Sequence, residues 1–172
     1  MNVEVRSATL YQPESTIEFR SEGSPVILGY AALFNIVADI GPFRERIKPG
    51  AFQRAISEGQ DVRALVNHDR SLILGRTKSK TLELAESVKG LRIKILPPDT
   101  TVGRDAMTSL KRGDLDQMSF AFIARKSTWI EEKGKTPIRQ LEDVVRGAIE
   151  LVCRGAGTTA AGPRGHGGFP GR

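Results

Sequence analysis

The sequence predicts a mixed but mainly β fold, a closed or nearly closed β-barrel with flanking helices. Short apolar or alternating runs recur along most of the chain, only two segments carry helical spacing, and nothing repeats. With 172 residues, 39% hydrophobic and 27% charged, the chain has the size and balance of a single globular domain with a real core.

Residues 1–24 are polar and mixed, and read as a lead-in strand or a partly ordered arm. From Pro25 the run Val26-Ile27-Leu28-Gly29-Tyr30-Ala31-Ala32-Leu33-Phe34 predicts a buried strand that breaks at Asn35. Phe43–Ile47 predicts a short strand stopped by Lys48-Pro49-Gly50. A short helix should follow, with Phe52, Ala55 and Ile56 on one face and Gly59 as its stop. Asp61–Val66 and Leu72–Arg76 continue the sheet. The alternating segments Thr81–Glu86 and Leu91–Leu96, separated by Val88-Lys89-Gly90, predict a β-hairpin.

Thr101–Arg112 is the best helix, with Val102, Ala106 and Leu110 on one face, Gly113 as C-cap and Gly103 as its weak point. Met118–Ala124 and Thr128–Glu131 predict two strands, and Ile138–Val145 another. These elements set a domain from residue 25 to 154. Residues 155–172 hold seven glycines, two prolines and one large apolar side chain, Phe169, so they should form a disordered tail.

Charge and cysteine usage narrow the function classes. The net charge of +6 is concentrated late: no acidic residue follows Glu150, while Arg154, Arg164 and Arg172 do. The body is nearly balanced, which disfavours nucleic acid as a partner. No apolar run is long enough to span a membrane, and the opening Met-Asn-Val-Glu-Val-Arg lacks the apolar centre of a signal peptide. The single cysteine, Cys153, allows no internal disulfide, and a reducing cytoplasmic setting is expected. No cofactor motif occurs. The two histidines, His68 and His166, offer no metal-ligand spacing, so neither cofactor nor metal is expected.

Two positions carry chemistry. His68 ends the apolar run Arg63-Ala64-Leu65-Val66-Asn67-His68-Asp69, and Ser119 sits in Gln117-Met118-Ser119-Phe120-Ala121-Phe122. Strand parity puts Met118, Phe120 and Phe122 on the core face, and Ser119 with Ala121 and Ile123 on the other, where substrate could approach. A serine needs a nearby base before its hydroxyl is a useful nucleophile, and an acid commonly orients that base. Glu142 and Asp143 lie on the next strand, and alternation points them to opposite faces, so at most one should reach the site. Asp69 reads as a turn residue. On the residues alone, each of these retains an ordinary structural reading, and the surroundings of Ser119 are not Gly-x-Ser-x-Gly.

Taken in order, the blocks Gly29-Tyr30-Ala31-Ala32-Leu33-Phe34-Asn35, Phe43–Phe52, Val62–Asp69 and Leu74-Gly75-Arg76-Thr77 resemble the tailed-phage prohead serine protease family. The resemblance continues through Gly90-Leu91-Arg92, Pro98-Asp99-Thr100, Gly103-Arg104-Asp105, Lys111-Arg112-Gly113-Asp114 and Gln117–Phe122, from about residue 28 to about residue 145. It implies a fold related to the herpesvirus maturation proteases, a β-barrel with flanking helices. It also implies an endopeptidase acting inside the immature capsid, in the cytoplasm of a bacterial host, on scaffold or the capsid-protein arm and on itself. The Asn-His-Asp block then makes His68 the catalytic base and the Met-Ser-Phe block makes Ser119 the nucleophile. Asp143 falls where the family has its third member, with Glu142 as second choice.

The sequence departs from the family after Val144. An apolar strand containing Glu-Val-Ser is expected there, and Val145-Arg146-Gly147-Ala148-Ile149-Glu150-Leu151-Val152-Cys153-Arg154 keeps only a trace of it. Degeneration or a shifted reading frame near Val145 would account for this, at the cost of the last barrel strand. Two other classes stay open: a catalytically inactive structural component of the prohead interior, and a basic nucleic-acid-associated capsid factor.

Overall fold

A computed structural model describes residues 4–8, 18–19, 25–67, 69–131, 133–145 and 148–152. Its centre is one long strand. β10 (Gln117–Ile130) runs antiparallel to β11 (Ile138–Val145) and then to β12 (Ala148–Val152), which follow each other along the same edge. Against the far side of that pair lie two short parallel strands, β5 (Arg44–Ile47) on β11 and β6 (Arg63–Val66) on β12. Helix α1 (Gln53–Ser57) stands between them in sequence and packs on β11. β4 (Ala38–Asp39) extends the sheet beyond β5 and β7 (Asp69–Arg76) beyond β6, while β1 (Glu4–Ala8) pairs with the other edge of β10.

A second, antiparallel sheet has the order β2 (Glu18–Phe19), β3 (Ile27–Leu33), β9 (Gly90–Ile95) and β8 (Leu82–Glu86). Its β8–β9 hairpin is the alternating pair of the sequence, in the register Leu82↔Ile95 to Glu86↔Leu91. One core lies between the two sheets. Ile27, Ala31, Leu91, Ile93 and Ile95 from the smaller meet Leu74, Met118, Phe120, Phe122, Leu141 and Val144 from the larger. The architecture is therefore mainly β with two helices. Among the described residues the hydrogen-bonded path of the larger sheet runs from β4 to β7 without returning on itself, a curled, open sheet that is part of the way to the closed or nearly closed barrel expected.

Helix α2 (Thr101–Arg112) shows why its sequence is legible. Thr100 caps the N-terminus by accepting from the Gly103 N–H, and Gly113, with φ 81°, closes the C-terminus through its N–H to Leu110 and Ser109. Gly103, the weak point by propensity, is required by packing. A Cβ there would lie 1.9 Å from the Pro98 carbonyl oxygen, so only glycine lets the helix start this close to the Pro97-Pro98 segment.

Three expectations are corrected. Met118–Ala124 and Thr128–Glu131 are parts of one strand, because the charged pair Arg125-Lys126 sits at an irregularity within β10 rather than in a turn. β7 begins at Asp69, directly after the turn, rather than at Leu72. The last strand is not lost: Ala148–Val152 forms β12, held between β10 and β6. Five apolar-rich residues suffice because both edges are paired. The tail from 155 to 172 lies outside the described residues.

Candidate active site

Ser119 lies on the inner part of β10, where strands flank it on both edges. Its Cα faces Ser7 of β1 on one side and Glu150 of β12 on the other. Glu150 in turn faces Leu65 of β6, and Leu151 faces Val66. The nucleophile candidate and the strand leading to the histidine candidate are thus two strands apart in one sheet, about 10 Å at the usual strand spacing. Beyond Val66 the chain turns at once. Asn67 takes a left-handed conformation with φ 48°, which asparagine tolerates better than most residues, and Asp69 pairs back to Val66. His68 lies outside the described residues.

Asp69 is the first residue of β7, where a turn residue was expected, and its side chain bonds within that strand. Its carboxylate accepts from the Ser71 N–H at 2.8 Å and the Ser71 hydroxyl at 2.6 Å, and the hydroxyl bond holds its pKa below the ordinary aspartate value.

Strand parity holds along β10, with a different result at the serine. Met118, Phe120 and Phe122 are buried on the core face, and Ala121 and Ile123 are half-buried on the other. Phe120 stacks on Phe122 and meets Phe52 edge-on. Ser119 is 0% exposed, although an accessible position was expected, and it is not without an interaction partner. Alternation fixes which face a side chain takes, whereas flanking strands on both edges decide whether that face is open.

Asp143 is not brought to Ser119. It pairs with Lys126, seven residues farther along β10, or roughly 23 Å of extended strand. Its Oδ2 lies 3.6 Å from Arg54 Nη1 on α1, and its Oδ1 is buried without a hydrogen-bond partner among the described residues. Glu142 belongs to the same place. The register passes from Lys126↔Asp143 to Ser127↔Leu141, so Glu142 is the extra residue of a β-bulge. The bulge cancels the alternation: Leu141 and Val144 both enter the core, and Glu142 and Asp143 both line one groove. This corrects the expectation that the two carboxylates take opposite faces.

That groove, about 540 Å³, is lined by Gly50, Gln53, Arg54, Ser57, Glu142 and Asp143. Lys126 Nζ lies 2.8 Å from Glu142 and holds its carboxyl below the ordinary glutamate value; Lys48 Nζ lies 3.8 Å away. The groove is a nearly neutral, mixed-charge surface.

One charged cluster was not foreseen. Arg139 on β11 donates to both oxygens of Glu4 on β1, at 2.6 and 2.9 Å, and its Nη1 also lies 3.4 Å from Glu45 on β5, which is buried. Its members come from positions 4, 45 and 139, and no local pattern relates them. Among the described residues no group of three His, Cys, Asp or Glu side chains could hold a metal, and no helix is long and apolar enough to cross a membrane.

Comparison with known proteins places the fold and the family. Among solved structures, the bacteriophage T4 capsid assembly protease gp21 superposes with a TM-score of 0.52 over 88% of this chain and 96% of its own, at 6% identity. Identity that low makes this a likeness of fold. No curated protein matches the sequence. A family model, the caudovirus prohead serine protease, matches residues 13–160, which includes both candidate residues and β12. The chain belongs to the caudovirus prohead serine protease family.

Proposed function

We propose that this chain is a maturation endopeptidase that cleaves scaffold protein or the capsid-protein arm inside the immature phage head, with Ser119 as nucleophile and His68 as its base. The observation that carries this reading is the sheet register. Ser119 and the end of β6, which leads into His68, belong to one sheet with only β12 between them. Family membership supports a serine protease acting in the prohead, within the host cytoplasm.

In this mechanism His68 takes the proton from the Ser119 hydroxyl as its oxygen attacks the scissile carbonyl. The tetrahedral intermediate collapses to an acyl-enzyme as the protonated imidazole returns the proton to the leaving amine. Water, activated by the same histidine, then releases the acid product. Serine and histidine carry these steps without a metal or cofactor. Asp143 acts elsewhere, as part of the groove beside α1. The chain itself is a further substrate for this chemistry.

The burial of Ser119 favours a second reading, a catalytically silent component of the prohead interior. Co-expression with the neighbouring capsid protein separates the two. Cleavage by the wild type, abolished in Ser119→Ala and in His68→Ala, is the expected result. Equal cleavage by wild type and Ser119→Ala refutes the nucleophile, and no cleavage by any form favours the silent component.

A further inference from the structure

We propose that β1 is a latch: it occupies the edge of β10 on which an extended substrate peptide would align, and cleavage requires β1 to peel away. This rests on Ser119 being the nucleophile. Between Met118 and Phe120, β10 has both edges filled. β12 is bonded on both of its own edges, to β10 and to β6, so it cannot leave without splitting the sheet. β1 is bonded to β10 alone among the described strands, and it puts Ser7 directly opposite the fully buried Ser119.

The seat that β1 fills is what a substrate strand would need. It accepts five residues in antiparallel register, Glu4↔Phe122 to Ala8↔Met118, and main-chain pairing of this kind is a general way to hold an extended peptide beside a sheet. The outer end of β1 is held by Glu4, through its two hydrogen bonds to Arg139. When Glu4 leaves, Arg139 stays, because Glu45 is buried beside it. The opened seat therefore suits an extended peptide with a carboxylate three residues before the one opposite Ser119, taking the place of Glu4.

The test is fluorophosphonate labelling of Ser119, read by the mass of the modified peptide, with Ser119→Ala as the blank. Arg139 is left intact, since removing it would take a cation away from the buried Glu45 as well as from Glu4. Glu4→Gln should label about fivefold faster than wild type, the scale of one net hydrogen bond, since the amide can still accept one bond from Arg139. A second variant carries Val5→Cys and Ala121→Cys, which are partner positions across β1 and β10, with Cys153→Ser to leave one possible disulfide. Oxidised, it should label at least about tenfold slower than when reduced, because the disulfide bars strand release.

Equal labelling of Ser119 in all folded forms overturns the latch and leaves the nucleophile standing. Cysteines that fail to cross-link under oxidation also overturn it, since β1 is then not docked in this register. If no folded form labels at Ser119, the nucleophile reading falls and the latch falls with it. A thermal melt of each form establishes that it is folded.

Discussion

At one end of β10, Met118, Ser119, Phe120 and Phe122 are buried, flanked by strands on both edges and backed by Phe52. At the other end Trp129 is 54% exposed and packs edge-on against Phe43, and the partner strand opens at a bulge into a groove of paired charges. The same strand thus has a closed end and an open one. The candidate nucleophile belongs to the first and the expected acid to the second. A carboxylate that looks adjacent in sequence order can be removed from a site by the length of a strand, while a serine in an aromatic run can be sealed by its neighbours.

The contrast can be broken by mutation, beginning at the closed end. Phe120→Ala should cost about 3–5 kcal/mol, because it leaves a cavity between Phe52 and Phe122 that the sheet cannot collapse into. Urea unfolding measures it, and a loss under about 1 kcal/mol would mean that this end is not the rigid one. Trp129→Ala at the open end should cost only about 1 kcal/mol, the value of an exposed edge-on aromatic pair.

The next effect is smaller and depends on pH. The bond from Lys126 lowers the pKa of Glu142 in the folded state from 4.5. The resulting stabilisation is present above the unfolded value and is lost as pH falls through the folded one. Glu142→Gln should make the urea midpoint fall less steeply on acidification than in the wild type. Glu58, Asp61 and Asp69, also lowered, keep the remaining slope. An unchanged slope would show that the open end contributes no acid sensitivity.

Asp143→Asn should have the least effect, leaving cleavage of the capsid protein within about twofold, whereas losing a triad aspartate costs about 10⁴-fold. A loss on that scale would place Asp143 at the closed end after all.

Much of the fold is legible where the signal is local. The β8–β9 hairpin shows in its alternation, β11 in its apolar ends, and α2 in its cap residues Thr100 and Gly113. Features set by distant partners are not. β12 is only five residues long and is stabilised by β6, some eighty positions earlier in the chain. The bulge at Glu142 follows from a register shift against β10, which no alternation rule reports. For the site, parity separates the buried Phe120 and Phe122 from the half-buried Ala121 and Ile123; the burial of Ser119 depends on β1 and β12, which are far from it in sequence. The Arg139 cluster was invisible for the same reason.

The placement of β12 also bears on how the protein is made. It is the last described strand to leave the ribosome, yet it lies between β10 and β6 rather than at a rim of the sheet. β6 and β7 must therefore wait, unpaired with the rest, until residue 152 has emerged, and the sheet can close only from the middle. In a nascent chain of this design the sheet around Ser119 cannot close until β12 has emerged, so the buried setting of that residue forms late in synthesis.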